Sequence, residues 1–420
     1  MNNKKIFFTV FSLLTVALFS RVSTIEQSRK KILVLMSTGG AGHINACNVL
    51  KAALPEYDFV VTDGIDITLS SSDPIKIVTF KKYQGEDFYN GLISKGWNKV
   101  ANWICRHPGP YLFHSSRKKF ENRIVRLLER EKPDLFISTI PLINYAASNA
   151  ALRCNVPFFL MALDADLTLW LNDVELCRKK FPVTLSYPTD FMYKQLNQKH
   201  IPSDKIHIVG PPLKAAFYTP KDHKAIKKEW NIPEDKQVIM VLMGGAGSGQ
   251  LYSIAKYVFK LPIKAHLLLC IGRNEAQRKS LASLKKTKDI SYTIIPFTDK
   301  IPDLEAVSDL LITKPGPNSC NEAMFCQLPI LIDDSKTTLF WERATMHYVQ
   351  EHGFGTTFKS YKQLSRLIPS WLARKKAGLI EKPPFKRFDD EIRFVIQRML
   401  AQHSVIKTPN HDVIQPPKAC

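Results

Sequence analysis

Two turns in opposite halves of this chain share one pattern: a short aliphatic run, then glycine, then an amphipathic stretch. The first is KILVLM at 31–36, followed by Ser37-Thr-Gly-Gly-Ala-Gly-His43. The second is LLIT at 310–313, followed by Lys314-Pro-Gly-Pro-Asn-Ser319 and a helical run containing Glu322. Unbroken aliphatic runs of this length suit strands covered on both faces, as in parallel sheets whose crossovers are helices. A turn from such a strand into a helix presents backbone N–H groups and a helix N-terminus to an anion. One such turn in each half constrains the chain toward two α/β units facing a cleft. One side would hold a nucleotide diphosphate and the other would supply a base.

The remaining strand signals repeat that alternation. In the first half they fall at 59–62, 135–139, 157–163, 184–187 and 206–209. In the second they fall at 237–243, 266–271, 292–295, 310–313 and 329–332, with helical stretches between them. Gly210-Pro-Pro212 through the charged stretch 221–228 reads as the linker. The expected division is a leader and linker at 1–30, a Rossmann-like domain at 31–220, a second at 221–380, and a C-terminal helix (388–402) with its tail at 381–420.

A chain of 420 residues is long enough for two cores, and a net charge of +21 favours an anionic partner. The basic clusters, such as Arg117-Lys-Lys119 and Arg178-Lys-Lys180, lie beside no nucleic-acid-reading motif, so a membrane surface is expected and nucleic acid is not. Aromatic residues gather between 74 and 115 (Phe80, Tyr83, Phe88, Tyr89, Trp97, Trp103, Tyr111 and Phe113), as helices and loops at an apolar surface. The eight cysteines are widely spaced with no CxxC pair, which reads as free thiols in a reducing compartment. Lys4-Lys5 precede an apolar run from Ile6 to Phe19, short for a transmembrane span. A shallow uncleaved anchor is expected, with a cleaved signal as the alternative.

The glycine turns carry the chemistry. Gly40 and Gly42 let a ligand approach the backbone before His43, whose neutral imidazole at a helix start can accept a hydroxyl proton. The structural alternative is a histidine making a local hydrogen bond. A further loop, with Gly244, Gly245, Gly247 and Ser248, lacks the Gly-Lys-Ser/Thr of a P-loop and the acidic residue of a dinucleotide fingerprint. In the 314–319 turn, Asn318 or Ser319 is expected to cap the helix and leave N–H groups for a diphosphate. Glu322 can hold two ribose hydroxyls or serve in a capping box. Glu342 can bind sugar hydroxyls or be a solvated helix charge.

These residues resemble the family 28 glycosyltransferases of the GT-B fold, in particular the monogalactosyldiacylglycerol synthases and diacylglycerol glucosyltransferases, and more distantly the peptidoglycan lipid II synthase. The likeness runs from about Lys31 to Gly355. It rests on Pro296-Phe-Thr-Asp299, Thr313-Lys-Pro-Gly-Pro317, Asn321-Glu-Ala323 and Gly353-Phe-Gly355, with Lys132-Pro-Asp134, Asp164 and Gly210-Pro-Pro212 upstream. It implies an α/β fold of two Rossmann-like domains and a metal-independent, inverting transfer, without cofactor, from a UDP-sugar to a lipid hydroxyl at an anionic membrane. The protein would be membrane-associated, with its catalytic domains in the cytoplasm.

By the matching positions, His43 would be the general base and Asp164 would orient the base or the acceptor. Gly316, Pro317, Asn318 and Ser319 would hold the diphosphate, and Glu322 the ribose. Phe297 and Thr298 would flank the uracil, and Glu342 would touch the hexose. The chain departs from the family where Trp341 and Thr345 flank Glu342, where Ile140 replaces a histidine, and where Asp166-Leu-Thr-Leu-Trp170 replaces a histidine-bearing acceptor segment. The hexose and the lipid are therefore open. A UDP-sugar epimerase, a glycosyltransferase with a non-lipid acceptor, or an inactive sugar-nucleotide or membrane-binding protein fits the same cleft.

Overall fold

A computed structural model describes residues 29–38, 41–69, 91–93, 96–244 and 250–407. The leader at 1–28, the aromatic residues Phe80, Tyr83, Phe88 and Tyr89, and Gly40, Gly245, Gly247 and Ser248 lie outside the described residues. The strands are β1 (Lys31–Met36), β2 (Asp58–Asp63), β3 (Leu135–Ser138), β4 (Phe158–Met161), β5 (Val183–Leu185) and β6 (Ile206–Ile208) in the first half. The second half holds β7 (Gln237–Leu242), β8 (Ala265–Gly272), β9 (Ile290–Pro296), β10 (Leu310–Thr313), β11 (Ile330–Asp333) and β12 (Gly355–Phe358). They form two six-stranded sheets, ordered β2-β1-β3-β4-β5-β6 and β12-β11-β10-β7-β8-β9. The pairings are parallel, with helices in the crossovers. The expected architecture of two Rossmann-like domains is what the chain adopts.

Each sheet reverses its winding once: between β1 and β3 in the first, between β7 and β10 in the second. Crossovers leave to opposite faces at such a point, so a crevice opens beyond the carboxyl ends of the two strands. Both glycine turns singled out in the sequence follow a strand at a reversal, and this topology positions the site.

The domains meet through side chains closing one end of the cleft. In the helix Asn98–Arg106, Asn98 Nδ2 donates to the Thr337 carbonyl at 2.6 Å and Asn102 Nδ2 to that of Thr338 at 2.9 Å. Asn102 Oδ1 in turn accepts from the Phe340 amide at 2.9 Å. Leu92, Ala101 and Leu339 are buried together beneath this lattice. Farther along, Tyr187 of the first domain stacks on Tyr348 of the second, with ring centres 4.1 Å apart.

The last helix, Phe388–Lys407, does not stay with the second domain. Phe388, Ile392, Val395, Ile396 and Leu400 recur at helical spacing and are buried in the first domain's core. Arg393 ties the helix to Glu56 and to the Ala53 carbonyl. The expected C-terminal unit at 381–420 is thus, over its described residues, part of the first domain's packing. To get there the chain passes over Gly210, whose φ is +81°; a Cβ on that residue would lie 2.0 Å from the Lys386 carbonyl oxygen.

That crossing yields a prediction. Gly210→Ala faces both a left-handed backbone and a collision with main chain, and should cost about 2–3 kcal/mol. Gly378→Ala, where φ is +68° and nothing lies within 4 Å, should cost about 1 kcal/mol. Equal denaturation midpoints for the two variants would show that the crossing does not constrain the fold.

Candidate active site

On the first-domain side, the helix Ala41–Ala53 begins directly after the turn that follows β1, with His43 in its first turn. His43 Nδ1 lies 2.7 Å from the Thr139 carbonyl oxygen at the end of β3. A carbonyl only accepts, so Nδ1 carries the proton and the Nε2 lone pair is left to take another. Thr139 is held in turn: its amide and its hydroxyl both donate to the Leu35 carbonyl, at 2.9 and 3.1 Å. Burial holds the imidazole pKa below the usual histidine value, against the opposing effect of the Thr139 bond. His43 is therefore neutral at pH 7, as a base must be.

Asp164 follows β4 and accepts from Trp170 Nε1 at 2.8 Å. The Trp170 ring centre lies 6.0 Å from that of His43, so the indole stands between the carboxyl and the imidazole. Burial lifts the Asp164 pKa to about 7; the Trp170 bond opposes the rise, and the charges of Glu342 and Asp166 add to it. Thr139, which the sequence reading did not single out, makes the hydrogen bond that orients His43. A backbone carbonyl has no sequence signature, so its only clue was its place at the end of a strand at the sheet reversal.

On the second-domain side, β10 ends at Thr313, whose hydroxyl donates to the Leu242 carbonyl of β7 at 2.6 Å. This bond holds the two strand ends together at the reversal. The helix Pro317–Phe325 then starts with Gly316 as its N-cap and no side-chain cap. The expectation that Asn318 or Ser319 caps it is corrected: both lie in the first turn, because Pro317 has the fixed φ and missing N–H that suit the first helical position. The amides of Asn318 and Ser319 thus stand at the helix mouth.

Glu322 lies one turn farther on, partly accessible, with its pKa raised to about 7 by burial against the lowering effect of Lys214. Behind it Glu305 is almost wholly buried, and burial together with the Glu322 charge raises its pKa well above the ordinary value. Two such carboxyls cannot both ionise cheaply, so the pair retains a proton on Glu305 while the accessible Glu322 is the one that titrates.

Glu342 is 8% exposed and ends a short turn at 340–342. Its Oε1 lies 3.6 Å from Lys314 Nζ. Phe297, 56% exposed at the end of β9, carries the Arg273 guanidinium 4.2 Å above its ring centre. The neighbouring Thr298 hydroxyl accepts from the Lys300 amide at 3.1 Å. Arg273 is another participant that sequence reasoning missed; its signal was its position just after Gly272 at a strand end.

The two sides face each other. A Cβ placed on Gly42 would lie 3.6 Å from Asn318 Nδ2, so the glycine beside His43 abuts the first turn of the 317–325 helix. Asp164 and Glu342, from opposite domains, lie close enough for one charge to shift the other. Next to them a cavity of about 320 Å³ is lined by Cys105, Arg106, Asp166, Thr168, Asn172 and Phe340 among others. Asn172 Nδ2 is buried there without a hydrogen-bond partner, a donor left for a ligand oxygen. Among the described residues, no group of three or more His, Cys, Asp and Glu is disposed to hold a metal.

Residues 238–333 match the model of the glycosyltransferase family 28 C-terminal domain. The chain is 25% identical over 382 residues to the chloroplastic monogalactosyldiacylglycerol synthase of Spinacia oleracea, covering 84% of this chain and 68% of that protein. It is 22% identical over 335 residues to the processive diacylglycerol beta-glucosyltransferase of Bacillus thuringiensis (strain Al Hakam), covering 74% and 80%. Among solved structures, Acinetobacter baumannii MurG superposes with a TM-score of 0.58 at 12% identity, over 88% of this chain and 99% of that one. The Staphylococcus aureus MnaA–UDP structure gives 0.54 at 16%, over 90% and 99%. At these identities the structural likenesses speak for the fold alone. The chain is a glycosyltransferase of the GT-B fold, related to the family 28 and diacylglycerol-glucosyltransferase-like enzymes and more distantly to MurG.

Proposed function

We propose that this enzyme transfers a hexose from a UDP-sugar to the hydroxyl of a diacylglycerol-type lipid at an anionic membrane surface, inverting the anomeric centre. The approach of Gly42 to Asn318 carries the reading. It sets the residue next to His43 against the first turn of a helix whose mouth suits a diphosphate. The relatives, by their names, act on diacylglycerol or make monogalactosyldiacylglycerol, and UDP occupies the corresponding fold in MnaA.

In this mechanism His43 Nε2 takes the proton of the acceptor hydroxyl as its oxygen attacks the anomeric carbon. The C–O bond to the diphosphate breaks on the opposite face, and its electron pair leaves on UDP. Fixed N–H groups of Asn318 and Ser319 meet that charge without reorganising, the Gly316 amide being held by the Lys314 carbonyl at 2.8 Å, and one such donor is worth on the order of 3 kcal/mol of barrier. Glu322 accepts from the ribose hydroxyls, Phe297 and Thr298 flank the base, and Glu342 accepts from hexose hydroxyls. Gly244, beside Lys314, lies at the edge of the donor cleft. Asp164, fixed by Trp170, lies on the acceptor side, and the Asn172 cavity seats the acceptor beyond its reactive hydroxyl.

The membrane part rests on an exposed edge of the first domain. Trp97 (58% exposed), Trp103 (60%) and Tyr111 (73%) project there with Val100, among Lys99, Arg117 and Lys118. Aromatic rings beside cations suit a headgroup region, and each Lys or Arg near an anionic surface contributes about 1 kcal/mol. No helix among the described residues is long and apolar enough to cross a membrane.

His43→Ala should lower turnover by about 100-fold or more while UDP affinity persists; Glu322→Ala should chiefly weaken UDP binding. Retained turnover in the first variant would remove His43 as the base. The pH profile adds a check. The base works when neutral and its pKa is depressed, so kcat at saturating donor should hold down to pH 6.5 and fall only below it. An acid limb above pH 6.5 that persists in Asp164→Asn would contradict the assignment. Trp97→Ala combined with Trp103→Ala should weaken sedimentation with phosphatidylglycerol vesicles and leave UDP affinity alone. Unchanged sedimentation would place the membrane contact elsewhere.

A further inference from the structure

The turn 314–319 contains a cation that the donor-binding roles above leave unused. Lys314 follows β10 directly, at the reversal of the second sheet. Its stem crosses the crevice between the two strand ends: a Cβ on Gly244, after β7, would lie 2.9 Å from Lys314 Cε, and one on Gly316 would lie 3.6 Å from it. Gly244 has φ +87°, a left-handed backbone that favours glycine there. The ammonium is 3.6 Å from Glu342 Oε1, longer than a good charge-assisted hydrogen bond, and the lysine side chain remains 39% exposed. Glu342 is the only carboxylate paired with Lys314 among the described residues. The other cations of the cleft are committed elsewhere, Lys214 toward Glu322 and Arg273 over Phe297.

We propose that Lys314 is a catalytic residue that neutralises the departing diphosphate. This rests on the UDP-sugar reading above. As the anomeric C–O bond breaks, its electron pair adds a negative charge to the terminal phosphate while the acceptor proton passes to His43. Pro317 contributes no N–H at the first helical position, so the helix mouth offers few amides to that charge. The Lys314 ammonium, poised over the same turn, moves from Glu342 to the terminal phosphate when the donor enters. That exchange frees the Glu342 carboxylate to accept from the hexose hydroxyls. Donor binding therefore assembles both contacts at once.

The test compares Lys314→Met and Lys314→Arg with the unaltered full chain, using UDP and UMP as calorimetric probes and a UDP-hexose donor for turnover. A lysine on the terminal phosphate predicts that Lys314→Met loses about tenfold in UDP affinity and keeps its UMP affinity. It also predicts a fall in kcat of about 100-fold. Lys314→Arg should recover most of the UDP affinity. A merely structural role would weaken UDP and UMP alike. That outcome, or unchanged UDP affinity and kcat in Lys314→Met, overturns the proposal while the donor reading stands. Failure of the unaltered chain to bind UDP at all overturns the donor reading itself.

Discussion

Gly42 and Asn318 belong to helices of domains whose sheets share no strand, yet the space for one methyl group separates the glycine's backbone from the asparagine amide. The rest of the site depends on this close approach. It exists because each Rossmann-like unit reverses its winding where a glycine turn follows a strand, and because the two crevices open toward each other. The lattice of Asn98 and Asn102 against residues 337–340, with the Tyr187–Tyr348 stack, holds the facing surfaces in register. Covering the first sheet with the last helix of the chain strengthens that arrangement, since the polypeptide then passes twice between the domains.

Electrostatics divide the cleft into roles. The first-domain wall carries an imidazole kept neutral by burial and a carboxyl, Asp164, whose charge is disfavoured by Glu342 and Asp166. The second-domain wall carries Lys314, Lys214 and Arg273 beside Glu322, Glu342 and an exposed aromatic ring. Carboxyls whose titration burial pushes toward neutrality, here Asp164 and Glu322, mark a site built to receive charge.

Much of this was legible in the sequence because a parallel sheet buried on both faces writes itself as unbroken aliphatic runs. The β1, β8 and β10 segments illustrate it. β12 was missed because Gly-Thr-Thr-Phe is short and half polar. The helix Pro108–Glu131 runs on from the stretch expected as helices and loops, because Pro108 and Pro110 sit in its first turn, where proline is tolerated. The apolar stripe of Phe388–Lys407 announced a buried helix without saying which domain it covers, because an apolar face does not identify its partner. Within the site, His43, Glu322 and the 314–319 turn stood out by residue type and spacing. The Thr139 carbonyl and the crossing of Lys314 over Gly244 did not, since both follow from how strand ends converge.

The two facing turns predict that one ligand touches both walls of this cleft. A crystal structure of the chain with UDP tests it most directly. The diphosphate should lie within hydrogen-bonding distance of the Asn318 and Ser319 amides, with the ribose at Glu322 and His43 Nε2 directed across the gap toward the terminal phosphate. UDP bound away from the 314–319 turn, or a His43 ring turned out of that gap in the complex, would contradict it.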